Sequence, residues 1–368
     1  MIQIIKALSE FEIVIKYKEL FIKMKETPQD PIHHQEGDVY THTEMVLNQL
    51  ISLQDFKNLN EYEQKILIYT TIFHDVCKPD TFEINSDGRI SNPRHALKGA
   101  NVVRQILDQE NESFDFISKV YNMVRFHGYP LRVMERENPL SDIIKTSLIS
   151  DNKLLYIFAK ADLLGRICND HDELFINLEL YKELCLEKNI FGEAKKFKSS
   201  YDRFYYCNID DSYPDTEIFE DYKLDIFMMC GLPASGKDGF LKKNLKNIPQ
   251  IHLDAIREEL DIKPTEDQGK IIQLSRERSK EFCRKQQSFI WNATNITAQV
   301  RSTLINIWLP YKPKIHIIYI HKNINKILED NAKREEMSVL PSKKINDMFR
   351  RLELPDLNTC HELVVVEN

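Results

Sequence analysis

Apolar residues recur every three or four positions in six segments of the first 200 residues, which is the spacing that one face of a helix requires. The segments are residues 40–56, 62–76, 98–109, 114–126, 140–150 and 153–165. Pro93, Pro130 and Pro139 lie between them and separate the predicted helices. The pattern predicts an all-α helical bundle for this part of the chain.

After residue 223 the pattern changes to short apolar runs that alternate with helical stretches. The predicted strands are LDIFMMC (224–230) and residues 250–253, 288–292, 314–320 and 362–367. This alternation predicts a parallel sheet with helices on both faces, so the fold class is α plus α/β in two domains. The acidic stretch 207–223 contains Pro214 and is the predicted linker between a domain of residues 1–206 and one of residues 224–368.

Composition adds the compartment and excludes a membrane span. The seven cysteines are scattered and never form a CxxC pair, so we expect reduced thiols in a cytoplasmic protein and no structural zinc finger or disulfide framework. No apolar run approaches the ~20 residues that a membrane helix needs. The first residues also lack the basic start and continuous apolar block of a signal peptide.

Charge is divided unevenly along the chain. Residues 224–368 contain 23 Lys and Arg against 19 Asp and Glu, a net charge of +4. Residues 1–223 contain 27 against 38, a net charge of −11. We therefore expect an anionic ligand to meet the second domain first.

The stretch CGLPASGKDG (230–239) follows a predicted strand and opens a predicted helix, as a phosphate-binding loop requires. Backbone N–H groups and the helix N-terminus then face the phosphates, and Lys237 reaches the outer ones. Gly231, Ser235, Gly236, Lys237 and Asp238 are accordingly predicted to bind ATP or another nucleoside triphosphate. Asp238 stands where Ser or Thr is usual, and a carboxylate there is tolerable only with a divalent cation, which predicts Mg²⁺.

Further polar residues follow the predicted strands of this domain. Asp254 can accept a proton from an attacking hydroxyl, and Arg257, three residues later on the same helix face, can hold a phosphate. Asn295 ends another strand and is followed by Arg301 in a helix. Arg334 lies near the end of a predicted helix. The sequence there fits either a mobile basic lid over the transferring phosphate or a helix end exposed to solvent, and the spacing does not distinguish the two.

The first domain contains histidines and acidic residues on several predicted helices. In the adjacent pair His74–Asp75, the carboxylate could bridge two ions while the imidazole binds one. The further candidates are His42, His95, His127 and Asp162. Any one of them alone is more often a core or surface residue, but the helices of a bundle could direct all of them into one cavity. Such a nitrogen and oxygen donor set suits manganese, iron, cobalt, nickel or zinc.

The second domain resembles the polynucleotide kinase branch of P-loop phosphotransferases over residues 224–368. The matching features are the loop ending in Lys237, the Asp254-x-x-Arg257 pair, the Thr294–Asn295 step and Arg334. The resemblance implies transfer of the ATP γ-phosphate to a 5′-hydroxyl of RNA or DNA. It makes Asp254 the general base and Arg334 the clamp on the transferring group. The implied substrate contacts are Arg257, Asn295 and Arg301.

The order of histidines and aspartates in the first domain resembles the HD phosphohydrolase superfamily. The stretches EGDVYTHT and HDVCKP look most like the HD domains attached to some tRNA nucleotidyltransferases. The resemblance implies the following roles: primary metal ligands His42, His74, Asp75 and Asp162, second-ion ligands His95 and His127, and phosphate contacts His34 and Lys78. The implied reaction is hydrolysis of a phosphomonoester or a cyclic phosphodiester.

Nearly the whole chain resembles the bacterial two-domain HD-domain–polynucleotide kinases, which heal broken RNA ends. The resemblance implies phosphorylation of 5′-OH ends, removal of 2′,3′-cyclic, 2′- or 3′-phosphates, and a separate RNA ligase as a partner. Two alternatives stay open: a small-molecule nucleoside or sugar kinase fused to a nucleotidase or phosphodiesterase, and a regulatory HD protein whose P-loop senses ATP. If the substrate is a strand, the basic stretches SKEFCRKQQ and KKNLK should line a groove leading to Asp254.

Overall fold

The computed structural model describes residues 7–209, 213–262, 266–334 and 339–368. The chain divides into two compact units, Met1–Lys195 and Lys196–Asn368. In this division residues 196–206 group with the second unit, where Arg203 donates to the backbone carbonyls of Cys360 and His361 at 3.2 and 2.6 Å.

The first unit is helical, as predicted. Its helices are α1 (Glu12–Lys16), α2 (Lys18–Lys25), α3 (Val39–Ser52), α4 (Gln54–Lys57), α5 (Glu61–Phe73), α6 (His95–Gln109), α7 (Phe114–Phe126), α8 (Tyr129–Arg132), α9 (Pro139–Ser147), α10 (Asn152–Leu164) and α11 (His171–Glu187). One departure from the all-α prediction is an antiparallel hairpin of β1 (Glu83–Ile84) and β2 (Ile90–Ser91). Gly88, with φ of +82°, permits its tight turn.

Capping residues fix where the main helices of this unit begin. The Asp38 side chain accepts the Thr41 N–H at the start of α3, and Asp151 does the same for two N–H groups at the start of α10. Asn60 and Glu63 form a reciprocal capping box on α5. The helices α3, α5, α7 and α10 pack together in the core of the unit. The residue at which each helix begins therefore determines which of its polar side chains lie inside that core.

The second unit holds a five-stranded, wholly parallel sheet in the order β4-β5-β3-β6-β7. Its elements are α12 (Ser200–Asn208), β3 (Leu224–Cys230), α13 (Lys237–Asn244), β4 (Gln250–His252), α14 (Leu253–Leu260), α15 (Gly269–Arg284), β5 (Phe289–Asn292), α16 (Ala298–Trp308), β6 (Pro313–His321), α17 (Ile324–Ala332), α18 (Ser342–Arg351) and β7 (Glu362–Glu367). All five predicted strands are present. Their carboxyl ends share one edge, where ligands bind in sheets of this kind.

The central strand β3 owes its place to its continuous apolar run, which suits a strand covered on both faces. Met229 at its end packs with Leu241 of α13 and with Ile318 and Ile320 of β6. This cluster holds α13 against the sheet at the point where the glycine loop joins them. Among the described residues, no helix has both the length and the apolar character that crossing a membrane demands.

Candidate functional site

The first unit brings all six predicted metal-ligand side chains into one buried cluster. They come from separate elements: His42 from α3, His74 and Asp75 from the end of α5, His95 from the start of α6, His127 from the end of α7, and Asp162 from α10. All except His95 are buried, and the His95 side chain is 24% exposed. The cluster therefore opens towards solvent on the side of His95.

Asp75 lies at the centre, and its two carboxylate oxygens face different groups. Oδ2 is 3.2 Å from His74 Nε2 and 3.9 Å from His42 Nε2. Oδ1 is 3.4 Å from His95 Nε2 and 3.8 Å from His127 Nε2. One group of potential ligands is thus His42, His74 and Asp162, and another is Asp75, His95 and His127; a third group, His34, Glu36 and His42, lies behind His42. A carboxylate shared in this way suits two neighbouring cations.

Backbone contacts fix the tautomers of three of these histidines. His74, His95 and His127 each place Nδ1 at 2.8 Å from the carbonyl oxygen of the residue three positions earlier. Because a carbonyl only accepts, Nδ1 carries the proton and Nε2 turns its lone pair towards the cluster. Histidines that bind metals are held by the same kind of outer contact.

Five buried polar atoms of the cluster have no hydrogen bond of good geometry within the described ranges, although His42 Nε2 lies 3.0 Å from Asp162 Oδ1. They are Nδ1 and Nε2 of His42, Nε2 of His74, Oδ1 of Asp75 and Oδ1 of Asp162. Each such atom costs about 1–3 kcal/mol when it stays unpaired. Cations bound between them would remove that cost, and the mixed nitrogen and oxygen set fits manganese, iron, cobalt, nickel or zinc.

The two aspartates of the cluster are ionised, as metal ligands must be. Burial acts to raise the pKa of Asp75, but His74 and Lys78 outweigh it and hold that pKa well below its usual value. Burial acts in the same direction on Asp162, where the neighbouring guanidinium of Arg166 holds the pKa well below its usual value.

The two predicted phosphate contacts lie beside the cluster. Lys78 Nζ is 2.7 Å from Asp75 Oδ2 and also donates to the side-chain oxygen of Gln29. The His34 ring packs edge-on against that of His42, with 4.7 Å between the ring centroids. Both therefore stand next to the groups that would meet a substrate phosphate.

Sequence reasoning missed two charged residues of this site. Arg166 donates to Asp162 Oδ2 at 2.7 Å, and its position four residues later on one helical turn could have suggested the contact. Glu36 Oε1 lies 2.8 Å from His42 Nδ1. Glu36 precedes α3 in an irregular segment, so no periodic pattern pointed to it.

In the second unit, the glycine loop leaves β3 and turns back into α13 through three residues with positive φ. These are Gly231 at +143°, Ala234 at +58° and Gly236 at +101°. A Cβ at position 231 would lie 2.7 Å from the Ile320 carbonyl oxygen, which only glycine avoids. Such a backbone can direct successive N–H groups at an anion, and the N-terminus of α13 faces the same place.

Lys237, the first residue of α13, folds over this loop. Its Nζ donates to the carbonyls of Gly231 and Leu232 at 3.0 and 2.7 Å. Burial lowers the pKa of Lys237 to about 8, Asp238 and Asp254 act to raise it, and Arg334 acts to lower it. Three of the other four charged side chains predicted for the kinase site, Asp238, Asp254 and Arg334, thus lie close enough to act on Lys237. Residues 335–338 of the predicted lid lie outside the described residues.

Asp238 projects from α13 towards the ends of two strands. Its Oδ1 accepts from Asn292 Nδ2 at 2.8 Å, and His252 Nε2 lies 3.8 Å from the same oxygen. His252 Nε2 is also 3.7 Å from Asp254 Oδ2. Asn292 and His252 were not predicted, although each ends a strand at the edge where ligands gather.

Asp254 and Arg257 form an ion pair, as their spacing suggested. Arg257 Nε also donates to Gln268 Oε1 at 2.7 Å, just before α15 begins. The Asp254 side chain is 58% exposed, so an acceptor hydroxyl can reach it.

Two predicted substrate contacts are corrected by the structure. Asn295 is buried, donates to the Met229 carbonyl at 2.6 Å and accepts from Trp291 Nε1 at 3.3 Å. Arg301 is buried and donates to three backbone carbonyls at 3.0, 3.0 and 3.3 Å. The hydrogen bonds of both side chains hold the loop after β5 against the sheet, so neither side chain is free to contact a substrate.

Comparison with known proteins bears on the second unit. A family model described as an AAA domain matches residues 226–355. Three solved structures are similar to part of the chain at low identity: a protein assigned as a kinase from Chloroflexus aurantiacus J-10-fl (17% identity, 40% of this chain and 86% of that chain, TM-score 0.34), a sugar kinase from Janibacter sp. HTCC2649 (15%, 39% and 85%, 0.32) and a gluconokinase from Sinorhizobium meliloti 1021 (16%, 40% and 84%, 0.30). None of the curated proteins matches the chain.

The second unit contains a P-loop, and its residues 226–355 match the AAA-domain model. The loop, its lysine and the parallel sheet behind it imply that it uses ATP and Mg²⁺. The low identities and TM-scores of the similar structures do not define a substrate for this chain.

Proposed function

We propose that this chain heals RNA ends with two separate sites. The second unit phosphorylates 5′-OH ends with ATP, and the first unit removes 2′,3′-cyclic, 2′- or 3′-phosphates with divalent transition metals. The observation that carries the proposal is the pairing, in one chain, of the cluster around Asp75 with the loop and acid–arginine pair around Lys237 and Asp254. RNA cleaved by transesterification carries both kinds of blocked end, so one chain with both sites restores both.

At the kinase site the loop N–H groups and Lys237 hold the outer phosphates of ATP. Asp254 accepts the proton of the attacking 5′-hydroxyl, and Arg257, oriented by Gln268, grips the next phosphate of the strand. Asp238, fixed by Asn292, would hold Mg²⁺ near the phosphates. The metal supplies charge neutralisation on the transferring group.

At the hydrolase site the six clustered side chains would hold two cations, with Asp75 shared between them. The cations supply an activated water and neutralise the phosphate. Lys78 and His34, beside the cluster, bind the non-reacting phosphate oxygens. Arg166 keeps Asp162 ionised and turned towards His42.

A cavity of about 450 Å³ is lined by residues of α15 and by Ile307, and it begins at Gly269, directly after the glutamine that holds Arg257. Its charged lining is mixed, because Glu277 stands beside Arg276 and Lys280 and pairs with Lys280 at 2.9 Å. Of the two basic stretches expected to line a groove leading to Asp254, SKEFCRKQQ contributes Lys280, and KKNLK does not line this cavity. The cavity therefore does not favour a strand over a small acceptor, and the choice of acceptor is decided by the experiment that follows.

The test uses the full chain and an RNA oligomer with a 5′-OH and a 2′,3′-cyclic phosphate, with both termini resolved after incubation. Lys237→Ala should lower 5′-phosphorylation by about 100-fold or more and leave 3′-end repair intact. Asp75→Ala should abolish 3′-end repair and leave 5′-phosphorylation intact. Removal of transition metals with a chelator, followed by addition of Mg²⁺ alone, should have the same effect as Asp75→Ala. Loss of both activities from either folded variant contradicts the two-site proposal.

The same experiment separates the alternative functions. Transfer of labelled γ-phosphate to nucleosides or sugars but not to RNA would identify a small-molecule kinase. Retention of hydrolysis with ATP bound and no transfer to any acceptor would identify an ATP-sensing regulator.

A further inference from the structure

His42 is held differently from the other histidines of the cluster. Its ring is fully buried between two carboxylates, with Nε2 3.0 Å from Asp162 Oδ1 and Nδ1 2.8 Å from Glu36 Oε1. His74, His95 and His127 instead direct Nδ1 to neutral backbone carbonyls. Among these four histidines, only His42 has a charged group behind it.

Glu36 is itself fixed from three sides. Its side chain is 1% exposed. Oε1 lies 2.9 Å from His34 Nδ1 as well as close to His42, and Oε2 accepts the backbone N–H of Ile167 at 3.0 Å. These three contacts hold the carboxylate in place, so it cannot swing away from His42.

We propose that Glu36 is a positioning residue that makes His42 a metal ligand. A carboxylate 2.8 Å from Nδ1 favours the tautomer with the proton on that nitrogen, which leaves the Nε2 lone pair for a cation shared with Asp162. A carboxylate behind an imidazole also makes it a stronger donor to a metal. This inference rests on the metal site of the proposed function and adds Glu36 as a residue that acts on that site through His42.

The same oxygen of Glu36 orients His34, which gives Glu36 and His34 distinguishable roles. Removing Glu36 should act on the metal through His42. Removing His34 leaves the His42 and Ile167 contacts of Glu36 in place, so it should act on the substrate phosphate and not on the metal. Substitution of Glu36 should therefore lower metal affinity, whereas substitution of His34 should raise KM and leave metal affinity unchanged.

The test measures metal binding directly, without turnover. The full chain, free of nucleotide, is titrated with Mn²⁺ while free Mn²⁺ is followed by electron paramagnetic resonance, and with Co²⁺ while its absorption spectrum is recorded. Glu36→Gln should weaken binding about 10–100-fold and change the Co²⁺ spectrum. His34→Ala should keep wild-type affinity and raise KM for the 3′-phosphate end. The matched control is Glu112→Gln, which removes a carboxylate bound to Lys65 and should change neither.

Each outcome has one meaning. Wild-type Mn²⁺ affinity and an unchanged Co²⁺ spectrum in folded Glu36→Gln would overturn the positioning role. Absence of Mn²⁺ and Co²⁺ binding by the wild-type chain would instead overturn the metal site of the proposed function. If Glu36→Gln does not fold, Glu36→Asp keeps the charge but withdraws it from His42 by about 1.5 Å, one bond length, and the same weakening is expected.

Discussion

Gly165 offers a steric test of how the helices of the first unit hold the metal cluster. It follows α10 three residues after Asp162 and packs against Val46, one turn after His42 on α3. A Cβ at position 165 would lie 2.7 Å from both the N and the Cα of Val46 and 2.9 Å from its Cγ2. The φ of Gly165 is −83°, which any residue adopts, so Gly165→Ala has a purely steric cost.

The size of the effect follows from these distances. Ordinary Cβ contacts begin near 3.4 Å, so α3 and α10 must separate by about 0.7 Å to admit the methyl group. Overpacking of this kind costs about 1–3 kcal/mol. In a unit of this length each kcal/mol lowers Tm by roughly 2–4 °C, so we expect a loss of roughly 2–12 °C. The 3.0 Å approach of His42 to Asp162 should widen, and Mn²⁺ affinity should fall with it.

Gly99→Ala is the matched control, because Gly99 is also buried where helices pack. Its Cβ would lie 3.5 Å from Val124 Cγ1 and at least 3.7 Å from its next neighbours, which are ordinary contacts. Alanine should therefore stabilise α6 by up to about 1 kcal/mol, since glycine is costly inside a helix.

The assay is differential scanning calorimetry of the full chain with and without ATP. The transition that rises with ATP belongs to the second unit, and the other reports on the first. An unchanged first-unit transition in Gly165→Ala, or an equal loss in Gly99→Ala, would refute the steric argument.

Three further predictions concern the second unit. Gly231→Ala should lower the Tm of this unit and its affinity for ATP, because the new methyl group clashes with the Ile320 carbonyl. Gly239→Ala is the control, because nothing lies near its new methyl group, and it should change neither quantity. Equal results for both variants in calorimetry and ATP binding would contradict this prediction. Arg301→Ala should destabilise this unit by about 2 kcal/mol or more, because three backbone carbonyls lose their hydrogen-bond donor. KM for RNA, measured on the folded protein, should be unchanged. A rise in KM without a loss of stability would show that Arg301 contacts the substrate. With a pKa of about 8, Lys237 is charged below pH 8 and about half neutral at pH 8. At that pH an acylating reagent should therefore modify Lys237 before the other lysines. Peptide mapping measures the modification, and bound ATP should protect Lys237 from it.

The sequence predicts the elements of this chain well where hydrophobic period and local chemistry agree. The run LDIFMMC forms the central strand because its residues other than Asp225 are apolar and most of them are buried in a sheet covered on both faces. The glycine loop follows from Gly231 and Gly236, whose positive φ angles few other residues allow. The histidines and aspartates of the first unit converge because each lies at a helix end or on a buried helix face.

Side-chain direction is what the sequence could not supply. Asn292 ends β5 and Asn295 follows it three residues later, yet Asn292 turns to Asp238 and Asn295 turns to the Met229 carbonyl. The backbone at Asn295 is left-handed, with φ of +44°, and no local pattern reveals that. The contact of Arg203 with residues more than 150 positions away is equally invisible in the sequence.

In the proposed function, a lysine at each site holds acceptors that a ligand would also use. Lys78 lies against Asp75 Oδ2, and Lys237 lies against the carbonyls of Gly231 and Leu232. If cations bind around Asp75, they compete with Lys78 for that carboxylate, and phosphates bound in the loop would draw Lys237 away from the two carbonyls. Lys78 would then be available to a phosphate oxygen, so the proposed function predicts that metal binding strengthens the binding of the substrate phosphate.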